Sequence, residues 1–173
     1  MTSSEERRID REIHKTTSGS DPFAAAMRAT RMPMIITDPR QHDNPIVFVN
    51  DAFAKLTGYS REGCRGRNCR FLQGPGTNTD DVAKVRDAIA AREPIEIDLL
   101  NYKKDGGLFW SRLLVSPVFD DGELTYFFAS QFDVTRERTI KAIEDQEEHE
   151  AEMERRIADL TASEERLNFT LKA

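Results

Sequence analysis

Gly66-Arg67-Asn68-Cys69-Arg70-Phe71-Leu72-Gln73 is the stretch of the chain that decides the fold. On an α-helix, Cys69 and Gln73 would share one face because four residues make about one turn, whereas Arg70 would point roughly 100° away. A soft nucleophile and an amide could then meet one region of a ligand while a guanidinium holds its anionic end. The stretch therefore predicts a ligand site.

The composition around this stretch is that of one ordinary domain with charged additions. The chain has 173 residues, of which 38% are hydrophobic and 32% charged, with a net charge of -6. The charged share exceeds the usual value of about 25%, and much of the excess follows Val134. Because phosphate backbones need clustered Lys and Arg, the acidic balance argues against nucleic acid as a partner.

Cysteine and histidine usage gives no sign of a metal site or a structural disulfide. The two cysteines lie five residues apart, and the three histidines are scattered without ligand spacing. The sequence shows no secretory signal and no run of about 18 apolar residues. We therefore expect a cytoplasmic protein that has no membrane partner and holds no metal.

The pattern of apolar residues and turn residues predicts a mixed α+β domain. Polar residues 1–22 form an N-terminal extension, and the Asp21-Pro22 pair predicts a helix over 23–30. The remaining elements are predicted in the order strand, strand, three helices and three strands. Their predicted ranges are 34–37, 46–50, 51–56, 66–73, 79–91, 95–99, 108–118 and 124–132.

After residue 134 the pattern changes to one long helix, predicted over 136–173, because no Gly or Pro interrupts it. With Ile143 at heptad position a, six of nine seam positions are apolar, and Glu150 and Glu164 weaken the seam. A parallel homodimeric coiled coil is the preferred interpretation. The alternative is a helix folded back on its own domain.

Further segments extend the signal of the Cys69 stretch over residues 30–135. They are Thr37-Asp38-Pro39, Asn44-Pro45-Ile46-Val47-Phe48, Leu56-Thr57-Gly58-Tyr59-Ser60, Asn101-Tyr102-Lys103-Lys104-Asp105-Gly106 and Phe109-Trp110. Together they resemble a light–oxygen–voltage (LOV) domain of the PAS superfamily. The resemblance implies an antiparallel five-stranded sheet with helices on one face. The expected organisation is an extension over 1–22, a flavin-binding domain over 23–134 and a signalling helix over 135–173.

The resemblance also implies the chemistry of blue-light sensing. The thiol of Cys69 is expected to form a reversible bond to the C4a carbon of an excited flavin. Gln131 is expected to donate a hydrogen bond to flavin N5 and to rotate when N5 becomes a donor. Arg70 and Arg86 match the phosphate-binding arginines of the family. The short connection between their two segments favours FMN over FAD.

The remaining expected contacts are polar groups around the ring and ribityl chain and apolar groups packed on the ring. The polar residues are Asn68, Gln73, Asn101 and Ser111, and Leu72 is a further expected contact from the stretch around Cys69. The residues expected to pack on the ring are Ile35, Thr37, Leu99, Leu113, Val115 and Phe127. Ser111 departs from the asparagine that is usual in the family. Gly63-Cys64-Arg65 also departs from the family pattern, and Cys64 is expected to be a structural or partly exposed thiol.

The C-terminal residues resemble the helix that enters a second PAS domain. The resemblance implies the N-terminal sensory part of a bacterial histidine kinase, with a downstream kinase or PAS domain in the same polypeptide. No kinase catalytic motif lies in residues 1–173, so this chain is not expected to be an enzyme, and His149 is interpreted as a solvated helix residue. The alternatives are a redox-sensing flavin module, a stand-alone short LOV protein that acts by dimer rearrangement, and a coiled-coil adaptor.

Overall fold

The computed structural model describes residue 27 and residues 29–170, with side chains through residue 166. The predicted N-terminal extension and most of the predicted helix over 23–30 lie outside the described residues. The chain divides into two compact units, residues 1–134 and residues 135–173.

The first unit is built on five antiparallel strands, which confirms the predicted sheet. They are β1 (Met34–Thr37), β2 (Ile46–Val49), β3 (Ile95–Tyr102), β4 (Leu108–Asp120) and β5 (Glu123–Asp133). Their order across the sheet is β2-β1-β5-β4-β3, so the first and last parts of the domain meet at the centre. Val115 of β4 and Ile35 of β1 both pair with Ala129 of β5.

Four of the five strands differ from their predicted bounds, and only β1 has the predicted range. The predicted end of β2 at residue 50 is wrong by one residue, because the Asn50 side chain accepts a hydrogen bond from the Phe53 backbone and caps the next helix. β3, β4 and β5 are longer than predicted, and β5 exceeds its predicted range by one residue at each end. Arg112 of β4 donates to Asp98 of β3 over 2.9 Å and 3.2 Å, so charged residues on the sheet are paired across the strands.

Helical segments connect β2 to β3. They are α1 (Asp51–Thr57), α2 (Arg61–Cys64), a 3₁₀ turn (Cys69–Leu72) and α3 (Thr79–Ala91). The 3₁₀ turn, here called the cysteine turn, replaces the helix predicted over 66–73. A single turn suits 3₁₀ geometry, and Gln73 has already left it with extended backbone angles. The prediction also missed α2, whose N-cap is Ser60.

The cysteine turn is fixed to the edge of the sheet by backbone hydrogen bonds. The amide of Ile46 donates to the carbonyl of Arg67 over 2.8 Å, and the amide of Gly66 donates to the carbonyl of Ile46 over 2.9 Å. Gly66 has a φ of 74°, which favours glycine. These bonds join the segment before Cys69 to β2, whose four residues are all buried.

The second unit is one helix, α4 (Thr135–Thr170), which begins one residue before the predicted start. Its apolar side chains Ile143, Met153, Ile157 and Leu160 are exposed on the isolated chain. Residues 171–173 lie outside the described part. Among the described residues, no helix has the length and apolar character needed to cross a bilayer.

Candidate functional site

A cavity of about 320 Å³ lies between the sheet and the helical segments. Its floor consists of side chains from three neighbouring strands, and its walls come from the β1–β2 connection, the cysteine turn and α3. The lining residues are Ile35, Thr37, Pro39, Gln41, Asp43, Asn44, Asn68, Cys69, Arg70, Gln73, Val82, Val85, Arg86, Ile89, Leu113, Val115, Phe127 and Ala129. The size and the mixture of apolar and polar walls suit a small organic ligand.

Ten of the residues predicted from the sequence line this cavity together. They are Ile35, Thr37, Asn68, Cys69, Arg70, Gln73, Arg86, Leu113, Val115 and Phe127. Cys69 and Gln73 both reach the cavity although they do not share an α-helical turn. Their common placement comes from the sharp cysteine turn.

The other five predicted residues are buried but do not line this cavity. Leu72 and Leu99 belong to the hydrophobic core, and Asn101, Ser111 and Gln131 are at most 4% exposed. Gln131 pairs across the strands with the lining residue Leu113, so the two side chains share a face of the sheet. Gln131 therefore adjoins the cavity floor.

Ser111 contacts Gln131 directly. The Ser111 hydroxyl donates to Gln131 Oε1 over 3.3 Å, and neither side chain is more than 2% exposed. With Oε1 engaged in this way, the amide nitrogen of Gln131 is the group available to donate to a ligand. The sequence predicted both residues as separate ligand contacts, whereas the structure makes them a pair.

The two thiols differ in their surroundings. Cys69 lines the cavity, and burial raises the pKa of its thiol although the neighbouring Arg70 charge opposes the shift. Cys69 is therefore a neutral thiol at pH 7. Cys64 is fully buried within the hydrophobic core, and burial raises the pKa of that thiol as well. Both cysteines are free.

The connection between β1 and β2, residues 38–45, is here called the mouth loop. Asp43 and Asn44 both have positive φ, 66° and 47°, a conformation that Asp and Asn tolerate better than most residues. Asn68 Nδ2 donates to the Asp43 carbonyl over 2.7 Å, and Arg70 Nη1 lies 2.6 Å from Asp43 Oδ2. The mouth loop is thereby linked to the cysteine turn.

The mouth loop supplies four lining residues to which the sequence analysis gave no role in the site: Pro39, Gln41, Asp43 and Asn44. Asn44 Oδ1 is buried and has no hydrogen-bond partner within the described chain. A buried acceptor without a partner is costly, so this atom favours a ligand that carries donors. The Asn-Pro pair at 44–45 was the available signal, since it marks an ordered turn.

The donor set fits a flavin that carries a phosphate. The apolar floor suits a planar ring, the amides of Asn44 and Gln73 suit polar ring and ribityl atoms, and Arg70 and Arg86 suit a phosphate. Arg86 lies on α3 and pairs with Asp87 over 3.1 Å on the exposed side. Among the described residues, no cluster of His, Cys, Asp and Glu could hold a metal ion.

Comparisons with known proteins place the chain among sensory domains. The PAS domain family matches residues 31–136. A blue-light-activated histidine kinase of Brucella ovis is 55% identical over 122 residues, which cover 70% of this chain and 25% of that protein. The corresponding protein of Brucella anthropi is 54% identical over 119 residues, 68% of this chain and 24% of that protein. The chain thus spans about a quarter of the length of these curated relatives.

Solved structures that are similar to the chain include LOV domains of blue-light receptors. The LOV domain of the blue-light activated histidine kinase EL346 of Erythrobacter litoralis is 42% identical, with a TM-score of 0.59 over 60% of this chain and 96% of that one. The dark structure of the Aureochrome1 LOV domain is 34% identical, with a TM-score of 0.62 over 76% of this chain and 96% of that one.

Proposed function

Because the chain belongs to the PAS family and its first unit is a LOV domain, we propose that it senses blue light through a flavin held in the cavity beside Cys69. The observation that carries the proposal is the placement of the Cys69 thiol in the wall above the floor of Leu113, Val115 and Ala129. A sulfur in that wall can reach a planar ring that lies on the floor. The cofactor we propose is FMN, because two arginines line the same cavity and only a short connection separates the cysteine turn from α3.

When bound, the flavin supplies absorption of blue light and an electrophilic carbon that accepts the Cys69 sulfur. Cys69 contributes the sulfur to this bond and its proton to the neighbouring ring nitrogen, so atoms and charge balance without another reactant. The thiol is neutral at rest and therefore carries the proton that it must give. Return of this proton to the Cys69 sulfur would accompany reversal of the bond in the dark.

We further propose that Gln131 is the first residue to move. Its Oε1 accepts from Ser111, which leaves its nitrogen to donate to the ring of a bound flavin. Once Cys69 had given its proton to the ring nitrogen, the Gln131 amide would have to turn so that its oxygen could accept from that nitrogen. The amide nitrogen of Gln131 would then donate to the hydroxyl of Ser111, which can accept as well as donate. Ser111 thus serves both orientations of the amide.

The signal leaves through α4, which begins two residues after β5 ends. We propose that α4 pairs with α4 of a second copy through Ile143, Met153, Ile157 and Leu160, which are exposed on the single chain. The relatives are named histidine kinases, and we propose a kinase effector in the same cytoplasmic polypeptide. Movement of Gln131 would alter the end of β5 and thereby the pairing of the helices.

The test compares absorption spectra before and after blue illumination for the unaltered protein, Cys69→Ala and Cys64→Ala. We expect loss and dark recovery of the visible band in the unaltered protein and in Cys64→Ala, and no such loss in Cys69→Ala. Cys64 is the matched control because it is the second free thiol and does not line the cavity. Equal bleaching in all three proteins would refute the proposed role of Cys69.

A further inference from the structure

Asp43 is the carboxylate of the mouth loop that lines the cavity, and it lies against the cation assigned to the cofactor phosphate. Its Oδ2 is 2.6 Å from Arg70 Nη1, and both side chains are partly open to water. The backbone of Asp43 is held from the other side, because Asn68 donates to its carbonyl. The carboxylate is thus fixed at the mouth by two residues of the motif around Cys69.

The second phosphate candidate is also paired with an acid. Arg86 Nε and Nη2 each lie 3.1 Å from Asp87 Oδ1. The two guanidiniums at the cavity therefore face two carboxylates, and the four side chains carry no net charge. Of the two acids, only Asp43 lines the cavity.

We propose that Asp43 sets how strongly the cavity prefers a phosphate-bearing flavin over one without phosphate, by competing with the phosphate for Arg70. The inference rests on the proposed function. A phosphate accepts two parallel bonds from a guanidinium and displaces an exposed carboxylate, because exposed ion pairs contribute little. The carboxylate is not removed, however, and its charge continues to oppose the phosphate.

Chemistry that holds Asp43 ionised supports this role. The hydrogen bond from Arg70 lowers the pKa of the Asp43 carboxyl below its ordinary value, so the carboxylate is charged at neutral pH. It therefore opposes the phosphate throughout the physiological range. Riboflavin has the same ring and ribityl chain but no phosphate, so it should not respond to this charge.

The experiment removes bound flavin and titrates the protein with FMN and with riboflavin, following the quenching of flavin fluorescence. Asp43→Asn removes the charge and keeps a residue that tolerates positive φ. We expect FMN to bind about fivefold more tightly, because one unit charge at contact distance in water changes affinity by about that factor. Riboflavin affinity should stay within twofold.

Two further variants sharpen the outcome. Asp51→Asn is the matched control, because Asp51 also pairs with an arginine, Arg61, but does not line the cavity. Arg70→Gln should weaken FMN binding. In that background Asp43→Asn should have little effect, because there is no longer an arginine at position 70 for which Asp43 and the phosphate compete. The double variant therefore separates competition for Arg70 from a general change of charge.

An equal change for FMN and riboflavin, or no change for either, would overturn the inference while leaving the proposed function intact. If Asp43→Asn still raises FMN affinity fivefold in the Arg70→Gln background, Asp43 and the phosphate do not compete for Arg70. If the unaltered protein binds neither flavin, the proposed function itself fails, and the role of Asp43 fails with it.

Discussion

Replacing Ser111 with alanine tests the paired arrangement of Ser111 and Gln131. The side chain of Ser111 is fully buried, so the substitution leaves Gln131 Oε1 without this donor and without water in its place. An unsatisfied buried acceptor costs about 1–3 kcal/mol, and the 3.3 Å separation places this bond near the lower end. We expect the free energy of unfolding to fall by about 1 kcal/mol, which lowers the melting temperature by about 4 °C.

The same substitution should also speed dark recovery. In the proposed mechanism the rotated amide of Gln131 donates to Ser111 after illumination, and alanine would remove that bond from the illuminated state. The amide makes no such bond midway through its rotation, so the barrier to recovery should fall by about 1 kcal/mol, or about fivefold in rate. Recovery is measured as the return of visible absorbance after blue light, and unfolding is measured with urea in the dark.

Ser130→Ala provides the matched control for both measurements. Ser130 is also buried, at 4% exposure, but it lies next to Gln131 on β5 and therefore points to the opposite face of the sheet. It should leave the recovery rate unchanged. A Ser111→Ala protein that is less stable but recovers at the original rate, or more slowly, would contradict the idea that Ser111 serves both orientations of Gln131.

Three other substitutions test the fold and the output helix. Gly74→Ala places a Cβ 2.6 Å from Tyr102 Cδ2 and should cost about 1–3 kcal/mol in urea unfolding, so an unchanged midpoint would contradict the close approach. Burial raises the pKa of Asp38, but hydrogen bonds from Arg40 and Gln41 outweigh it and lower the pKa below the ordinary 3.8. The stabilisation is therefore complete above about pH 4 and is lost as pH falls through the folded pKa, so Asp38→Asn should destabilise more at pH 7 than at pH 2, and an equal loss would refute this. Ile157→Glu in α4 should convert a dimer to a monomer in sedimentation experiments, whereas Arg155→Glu, on the outer heptad position, should not, and dimers in both variants would refute the seam.

The sequence predicted the elements of the first unit well where local signals agree. Apolar alternation with turn residues located the five strands, and acids in the first turn located α3 at its observed bounds. The missed end of β2 depends on a tertiary contact. Asn50 could extend β2 or cap α1, and its side chain caps α1 because Oδ1 accepts from the Phe53 amide and also from the amide of Met34 on β1, 16 residues away.

The site was less predictable at the mouth loop. Ten predicted residues line the cavity because the motif around Cys69 and the strand alternation act locally. The mouth loop is different, since its approach to the cysteine turn depends on positive φ at Asp43 and Asn44 and on the bond from Asn68, 25 residues away. The contact between Ser111 and Gln131 likewise joins two strands, so neither residue alone reveals it.

The backbone bonds of Ile46 have a consequence for self-association. β2 is an outermost strand, and such strands offer free amides and carbonyls to which another polypeptide can add. The amide of Ile46 already donates to the carbonyl of Arg67, and its carbonyl accepts from the amide of Gly66. The segment that carries Cys69 therefore also covers the edge of the sheet, and loosening it would expose backbone groups to which another polypeptide could add as a strand.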